Sequence, residues 1–198
     1  KIINIPSTVK SMRYTFRGCE NLRVVTNLPS NLENMTCTFF SCKSLNTIPI
    51  IPEKVTNMMG TFNNCSNLIK VPHIPDNVIY MNQTFVNCSL LEMIPNFPAK
   101  VENLEQCFQS CTSLKSVPTI PNSVTNMIRT FLNCSSLNGN IVINANITGA
   151  MIKETENDYY NLFGDAIINE NCKVKLTGSC PVLEDIITYW NKRNPNIT

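Results

Sequence analysis

One spacing dominates this sequence, because cysteine, phenylalanine and leucine each recur every 23 residues, six times over. The cysteines are Cys19, Cys42, Cys65, Cys88, Cys111 and Cys134, and each follows a phenylalanine by three residues and precedes a leucine by three. A fixed period of this length is typical of a solenoid, in which each repeat forms one coil of a stack. Since a single coil cannot bury its own apolar face, the spacing predicts one continuous core.

The positions that stay apolar define the predicted core. Each repeat is numbered from position 1 to position 23, and the six repeats begin at residues 1, 24, 47, 70, 93 and 116. Positions 2, 5, 9, 12, 16, 19 and 22 are apolar in all six repeats. In the third repeat they are Ile48, Ile51, Val55, Met58, Phe62, Cys65 and Leu68. This agreement indicates a domain of six repeats over residues 1–138.

Two different patterns follow each other within a repeat. From position 22 of one repeat to position 5 of the next, β-branched residues lie near prolines. This predicts strands of only two to four residues, because proline donates nothing to a β-ladder. From position 9 to position 19, apolar spacings of three, four and three predict one face of a short helix, which Asn57, Asn103 and Asn126 would cap. The predicted fold is an α/β solenoid, with short parallel strands on one side and short helices on the other.

Residues 139–198 depart from the repeat. Ile143 and Ile147 still match positions 5 and 9, which indicates a degenerate seventh repeat. Beyond it we expect a helix over residues 158–169, a strand over residues 172–177 and a helix after Pro181. A solenoid needs an atypical terminal unit to cover its last coil, so this part is interpreted as a C-terminal capping unit of mixed α/β structure.

The ten cysteines raise the question of metal ions and disulfides. Six of them share position 19 with core residues, and the sequence holds a single histidine, His73. A buried free cysteine behaves as a small hydrophobe, so we expect a ladder of free thiols, no metal site and no cofactor. Disulfides and metal are the less favoured alternatives. Cys172 and Cys180 lie off the ladder, and a disulfide between them stays open if the protein is exported.

Catalytic residues are not evident. No acid and nucleophile lie at a spacing from His73 that would indicate a catalytic site. The carboxylates Glu53, Asp76, Glu102 and Glu105 fall at varied positions of the repeat. We therefore expect a protein that is not an enzyme. A net charge of +2 gives no reason to expect binding to nucleic acid or insertion into a membrane.

The repeat resembles that of a known family. The pattern I-P-x-x-V-x-x-M-x-x-x-F-x-x-C-x-x-L, as in residues 120–137, is similar to the 23-residue leucine-rich repeats of the BspA-like class. The likeness extends over residues 1–138. Threonine stands at position 15, where that class usually has alanine, except for Cys107 in the fifth repeat. The segment before the phenylalanine is also one residue shorter.

The resemblance implies a leucine-rich-repeat solenoid without catalytic residues. Members of the class are mostly surface proteins of anaerobic bacteria and protists, and they are linked to adhesion, including adhesion to host matrix proteins. The likeness thus implies an extracellular or cell-surface location and a protein or glycan partner on a host or neighbouring cell. Because the sequence begins with Lys1 inside a repeat, we expect the targeting signal to lie upstream of it. Similar repeats in phage-tail-like proteins leave a second role open, that of a rigid spacer.

The strand side of the solenoid is the candidate binding face. A solenoid presents there an extended surface whose outward residues vary without disturbing the core. Positions 23, 1 and 4 would form three exposed rows along it. The candidate residues are Arg23, Asn46, Thr47, Ile69, Lys70, His73, Glu92, Met93, Asn96, Lys115 and Thr119. Their mixed charge disfavours a phosphate backbone, which requires clustered lysine and arginine, and favours a protein or glycan.

Overall fold

The computed structural model describes residues 5–144 and 172–177. Up to residue 138 the chain winds into stacked coils, one for each repeat, and isolated parallel bridges join neighbouring coils. Two strands follow, β1 (Gly139–Ile143) and β2 (Cys172–Leu176), which pair in parallel. The stacked coils confirm the predicted solenoid. The predicted short helices are wrong for these residues, because the described part of the chain contains no helix.

The strand side of the coils is held by single bridges. At position 1, Val24 pairs with Thr47, and Met93 pairs with Ser116. Proline at position 6 of every repeat, and at position 3 of four repeats, lacks the N–H that a longer ladder would need. The strand side of these six coils therefore has isolated bridges where strands of two to four residues were expected.

A second line of bridges runs along position 11 and was not expected from the sequence. It joins, in order, Ser11, Asn34, Asn57, Tyr80, Asn103 and Asn126. The amides of positions 10 and 11 donate to the position-10 carbonyl of the preceding coil, as Thr56 N and Asn57 N do to Glu33 O at 2.9 and 3.4 Å. This line fixes the stacking of the coils away from the strand side.

The asparagines at position 11 close a turn. Asn57 Oδ1 accepts a hydrogen bond from Met59 N, two residues later, at 3.0 Å. Asn103 and Asn126 accept the equivalent bonds from the amides two residues after them, at 2.9 and 3.1 Å. Asparagine often forms this local bond to its own backbone. The three asparagines therefore cap the backbone as predicted, but they cap a turn and not a helix.

The turn side, over positions 12 to 19, replaces the predicted helices. Two positions in every coil have a positive φ, which a right-handed helix excludes. At position 14 they are Tyr14, Cys37, Gly60, Gln83, Gln106 and Arg129, and at position 18 they are Gly18, Ser41, Asn64, Asn87, Ser110 and Asn133, with φ between 50° and 75°. The apolar spacing of three, four and three is therefore met by successive tight turns.

On the turn side, the amides of positions 12, 14, 16 and 18 donate to the next coil, whereas those of positions 15, 17 and 19 close turns within their own coil. Met12 N donates to Asn34 O, and Phe16 N donates to Thr38 O, each at 2.9 Å. The same pattern, from an amide to the carbonyl 22 residues later, recurs through the later coils. Groups that a helix would satisfy within one coil are satisfied here by the next coil, so buried backbone groups stay paired.

Phenylalanine rings form the centre of the core. Those of Phe16, Phe39, Phe62, Phe85, Phe108 and Phe131 stack in order, with neighbouring centroids 5.5 to 5.8 Å apart and planes within 12° of each other. The predicted core positions from the third coil onward are buried except Ile48, which is partly buried like Val25 and Leu28 of the second coil. The alternation of apolar positions was thus a sound guide to burial.

A threonine ladder runs beside the rings at position 15. Thr84 Oγ1 lies 2.9 Å from Met58 O of the preceding coil and 2.8 Å from Met81 O of its own coil. Thr38, Thr61 and Thr130 make the equivalent pairs of contacts. Each buried hydroxyl therefore bridges two coils.

The two strands continue the stack beyond the sixth repeat. β1 occupies positions 1 to 5 of a seventh coil, and Ile143 bridges to Ile120 at position 5 of the sixth. β2 pairs with β1 from Gly139 opposite Cys172 to Ile143 opposite Leu176. The predicted strand over residues 172–177 is thus confirmed. Ile147, the two predicted helices and the other residues of the predicted cap lie outside the described residues.

Replacing a central ring tests the phenylalanine stack. We expect Phe62→Ala to lower the free energy of unfolding by about 3–5 kcal/mol, because a fully buried ring with stacked neighbours on both sides leaves a cavity that cannot close. Chemical denaturation measures the loss, with Phe62→Leu as a smaller truncation that should cost less. A midpoint equal to that of the wild type would show that position 16 is not core.

The sign of a second substitution distinguishes turns from helices. Gly60 has a φ of +60°, and a Cβ added there would lie 2.9 Å from Cys37 Sγ. In the left-handed region Gly60→Ala should destabilise the protein by about 1–2 kcal/mol. In a helix the same change would stabilise it by about 0.5–1 kcal/mol. Thermal or urea unfolding measures the change. If Gly60→Ala proves more stable than the wild type, the turn structure is contradicted.

Candidate binding face

The strand-side face consists of the exposed rows at positions 23, 1 and 4. Ten of the eleven predicted residues are exposed: Arg23, Asn46, Thr47, Ile69, Lys70, His73, Glu92, Met93, Lys115 and Thr119. Asn96 is half-buried. The structure therefore brings the predicted rows to one accessible side of the solenoid.

Core packing and coil register place these side chains. In the fourth and fifth coils, Leu91 and Ile94 are buried while the intervening Glu92 and Met93 are exposed. Backbone bonds between coils keep the rows aligned, such as Lys115 N to Glu92 O at 2.9 Å. Each row therefore repeats at the coil spacing, which for a parallel ladder is about 4.8 Å.

Asn96 has a role that the sequence did not indicate. Its Nδ2 donates to Ile74 O at 2.9 Å, and its Oδ1 accepts from Ile74 N at 3.1 Å. The amide thereby pairs with both backbone groups of Ile74 in the preceding coil, as a strand neighbour would. Asn96 is part of the scaffold of the face, and its amide is committed to these two bonds.

The face mixes apolar surface with a neutral ion pair. Lys115 Nζ lies 3.0 Å from Glu92 Oε2, and both side chains are exposed. Ile50, at position 4, exposes 79% of its surface, and Met93 exposes 57%. An exposed pair of this kind contributes little to stability, so its charges remain available to a partner. Ile50 is the most exposed large hydrophobic residue that the structure describes, and its exposure agrees with its place in the predicted position-4 row.

The thiols at position 19 are free, and all but the first are buried. Cys65 Sγ contacts Phe39 O of the preceding coil at 3.1 Å, and Cys88 Sγ contacts Phe62 O at the same distance. Burial raises the pKa of Cys42 to about 12, and likewise that of Cys134 to about 12. The ladder of free thiols is confirmed, with the correction that Cys19 is exposed.

Two cysteine pairs, Cys37 with Cys42 and Cys107 with Cys111, have the short spacing of zinc ligands. Within residues 5–144 and 172–177, however, there is no cluster of three histidine, cysteine or carboxylate side chains able to hold a metal ion. Burial also raises the pKa of the Cys107 and Cys111 thiols well above the ordinary value, which opposes the thiolate that a metal requires. The same described ranges contain no helix long and apolar enough to cross a membrane.

Comparison with known proteins identifies the repeat. The BspA type leucine rich repeat region matches residues 1–106 and 50–155, in six copies. The chain belongs to this family. A search of curated proteins gave no significant match.

Two solved structures are similar to this BspA-type chain. A leucine-rich repeat protein of T. pallidum matches with 26% identity and a TM-score of 0.56, over 67% of this chain and 62% of that one. A leucine-rich repeat protein from Bacteroides ovatus ATCC 8483 matches with 21% identity and a TM-score of 0.45, over 87% of this chain and 61% of that one. The chain thus spans about three fifths of the length of each.

Membership of this family bears on function only in broad terms. A leucine-rich-repeat array is a protein-interaction or structural module, and such proteins are generally not enzymes. A fold of this kind does not itself specify a ligand, which depends on the residues that its faces expose.

The raised thiol pKa values predict how stability depends on pH. An unfolded thiol ionises near the ordinary value of 9.0, whereas Cys88 is held protonated to a higher pH because burial disfavours its charge. Stability from these thiols is therefore fully present below pH 9 and is lost as the pH rises further. We expect Cys88→Ser, which keeps a donor to Phe62 O, to make the fall in unfolding free energy between pH 9 and 11 shallower by up to about 1.4 kcal/mol per pH unit.

Urea unfolding of this BspA-type chain and of Cys88→Ser at several pH values measures the two slopes. Between pH 6 and 7 the slopes of the two proteins should agree, because the thiol is protonated in both folded and unfolded states. Equal slopes between pH 9 and 11 would contradict a raised pKa for Cys88.

Proposed function

We propose that this chain is a non-enzymatic adhesion module that presents its strand-side face to a protein or glycan on a host or neighbouring cell. The observation that carries the proposal is the contrast between constant core and variable face. Seven positions per repeat are apolar in all six repeats, whereas positions 23, 1 and 4 change from coil to coil. A partner has to contact side chains that the fold does not already use, and these rows supply them in register.

The chemistry of the face favours a protein or glycan over nucleic acid. Lys70 and Lys115 carry its positive charge together with Arg23, but Glu92 offsets one of them through the 3.0 Å ion pair. Exposed apolar side chains such as Ile50 add surface that a protein partner buries favourably. Phosphate-backbone binding depends instead on many unpaired cations.

An extracellular or cell-surface location accompanies this proposal. It rests on membership of the BspA-type family. Secretion would fit five of the six ladder thiols as well, because these five are buried and a buried thiol is protected from oxidation. Detection of the protein at the surface of intact cells, by antibody labelling without permeabilisation, tests the location.

The second candidate is a rigid spacer, which holds another part of a longer protein away from a surface. The observation in its favour is the continuous stack of phenylalanine rings from the first coil to the sixth, which would resist bending. A spacer needs no ligand on the strand-side face, so the two candidates differ in what mutation of that face does.

A triple substitution on the strand-side face tests the adhesion proposal. We expect Lys70→Ala, His73→Ala and Glu92→Ala together to leave stability within about 0.5 kcal/mol per site, because all three side chains are exposed. The same variant should bind matrix protein, glycan or cells more weakly. Binding is measured by surface plasmon resonance and by cell attachment, with the melting temperature as the check on folding.

The matched control changes Asn63, Gln83 and Gln109 on the turn side. If only this control loses attachment to cells or matrix protein, the attachment belongs to the turn side and its assignment to the strand-side face is wrong. If neither variant changes attachment and the wild-type protein attaches to nothing, the spacer becomes the better account.

A further inference from the structure

The turn face carries a second set of accessible side chains, of which Tyr14, Arg17 and Gln83 are exposed. It is defined here as the rows at position 14, from Tyr14 to Arg129, and at position 17, from Arg17 to Leu132. Neither row contains a carboxylate in any of the six coils. The adjoining position-13 row has one, Glu105, whose Oε2 accepts a bond from Asn126 Nδ2 at 3.4 Å. The two rows of the turn face therefore carry no negative charge, unlike the strand-side face with Glu92, although Phe40, Val86 and Leu132 make position 17 partly apolar.

Two arginines and two aromatic rings form a cluster at one end of the turn face, with Arg13 in the adjoining position-13 row. The Arg17 guanidinium lies 5.0 Å from the centre of the Phe40 ring and 5.9 Å from that of Tyr14. The Arg13 guanidinium lies 5.7 Å from the Tyr14 ring. Stacking on a ring holds a guanidinium by its face and leaves its N–H groups at the edge free to donate.

The acids nearest in sequence to this cluster are already paired. Glu20 Oε1 lies 2.8 Å from Lys43 Nζ, and Glu33 Oε1 lies 3.1 Å from Lys10 Nζ. Among the described residues neither Arg13 nor Arg17 forms a salt bridge. Their two charges therefore remain uncompensated beside an exposed ring, since Tyr14 exposes 47% of its surface.

Uncharged amides continue the turn face beyond the arginines. Gln83 Nε2 donates to Gln106 Oε1 at 3.0 Å across neighbouring coils. Two buried atoms farther along, Gln109 Oε1 and Arg129 Nε, have no hydrogen-bond partner among the described residues. An acceptor and a donor in this state are costly unless something else satisfies them.

We propose that the turn face binds an anionic polysaccharide, with the chain lying along the solenoid axis. The guanidinium edges of Arg13 and Arg17 would donate to sulfate or carboxylate groups, which match their geometry. Tyr14 offers a ring face to a sugar ring, and the amides of Gln83 and Gln106 supply donors and acceptors to hydroxyls. From the first coil to the sixth the face extends about 24 Å, five coil spacings of a parallel ladder, which accommodates several sugar units.

Other anionic macromolecules fit this face less well. Nucleic acid would need cations repeated along the face, and the third, fourth and fifth coils supply none at positions 14 and 17. An acidic peptide would be expected to anchor apolar side chains in a pocket, whereas four of the six turn-face residues of the third to fifth coils are amides. Amides between cations suit a ligand that alternates hydroxyls with anionic groups.

Dextran sulfate and uncharged dextran make a matched pair of probes, because they share a backbone and differ in sulfate. We expect this protein to bind dextran sulfate and not uncharged dextran, with an affinity that falls as salt rises. Arg13→Gln with Arg17→Gln should weaken binding about tenfold or more, since each removes a charge-assisted hydrogen bond. Lys54→Gln with Lys100→Gln is the charge-matched control, because it removes two lysines that only donate to asparagine.

Tyr14→Gly separates binding from folding. Tyr14 has a φ of 58°, where glycine is favoured, so this variant should melt at or above the wild-type temperature. It should nevertheless bind dextran sulfate several-fold more weakly, because the ring is gone. A weaker variant that keeps its melting temperature supports the turn face as the site.

Several outcomes would overturn the proposal. Equal losses in the arginine and lysine variants would show that only net charge matters. Tighter binding of polyglutamate or of a DNA duplex than of dextran sulfate, at equal ionic strength, would assign the face to a peptide or to nucleic acid. Loss of dextran sulfate binding in the Lys70, His73 and Glu92 variant, with the arginine variant unaffected, would place that ligand on the strand-side face instead.

Discussion

Backbone hydrogen bonds between coils on the turn side are the interaction on which the rest of this structure depends. They form because positions 14 and 18 of every coil adopt a left-handed conformation, which turns the amides of positions 12, 14, 16 and 18 toward the next coil. With right-handed φ and ψ throughout, these amides would bond within the coil as a helix. The left-handed residues therefore convert local pairing into stacking, and stacking keeps every side-chain row in register.

Register in turn explains why the core is so uniform. A ring that stacks on its counterpart, as Phe62 does on Phe39 and Phe85, cannot be exchanged in one coil without affecting two others. The same holds for a thiol such as Cys65, which contacts Phe39 O of the coil before it. The exposed rows have no such obligation. Two faces with different chemistry can therefore differ between coils while the core stays constant.

The sequence predicted those aspects of the fold that depend on period and burial. Spacing alone located the core and the rows of the strand-side face, and it placed a strand at residues 172–177 close to β2. It could not distinguish turns from helices, because apolar spacings of three, four and three suit both. Gly60 signals a left-handed residue, but Gln83 and Gln106 adopt the same φ only because the stack imposes it. Asn96 was assigned to the binding face, since its bonds to Ile74 depend on a neighbouring coil.

The threonine ladder has a consequence for how the array responds to mechanical tension. Hydroxyls tie the first coil to the second, the second to the third, the third to the fourth and the fifth to the sixth. Between the fourth and fifth coils, Cys107 stands in place of threonine, and a thiol is the weaker donor. Other side chains reinforce this joint, because Asn96 makes two hydrogen bonds to Ile74 and Gln83 donates to Gln106 across it. A pull along the solenoid axis is therefore shared among the five joints of the six coils, and loss of the threonine at one of them does not create a place of first separation.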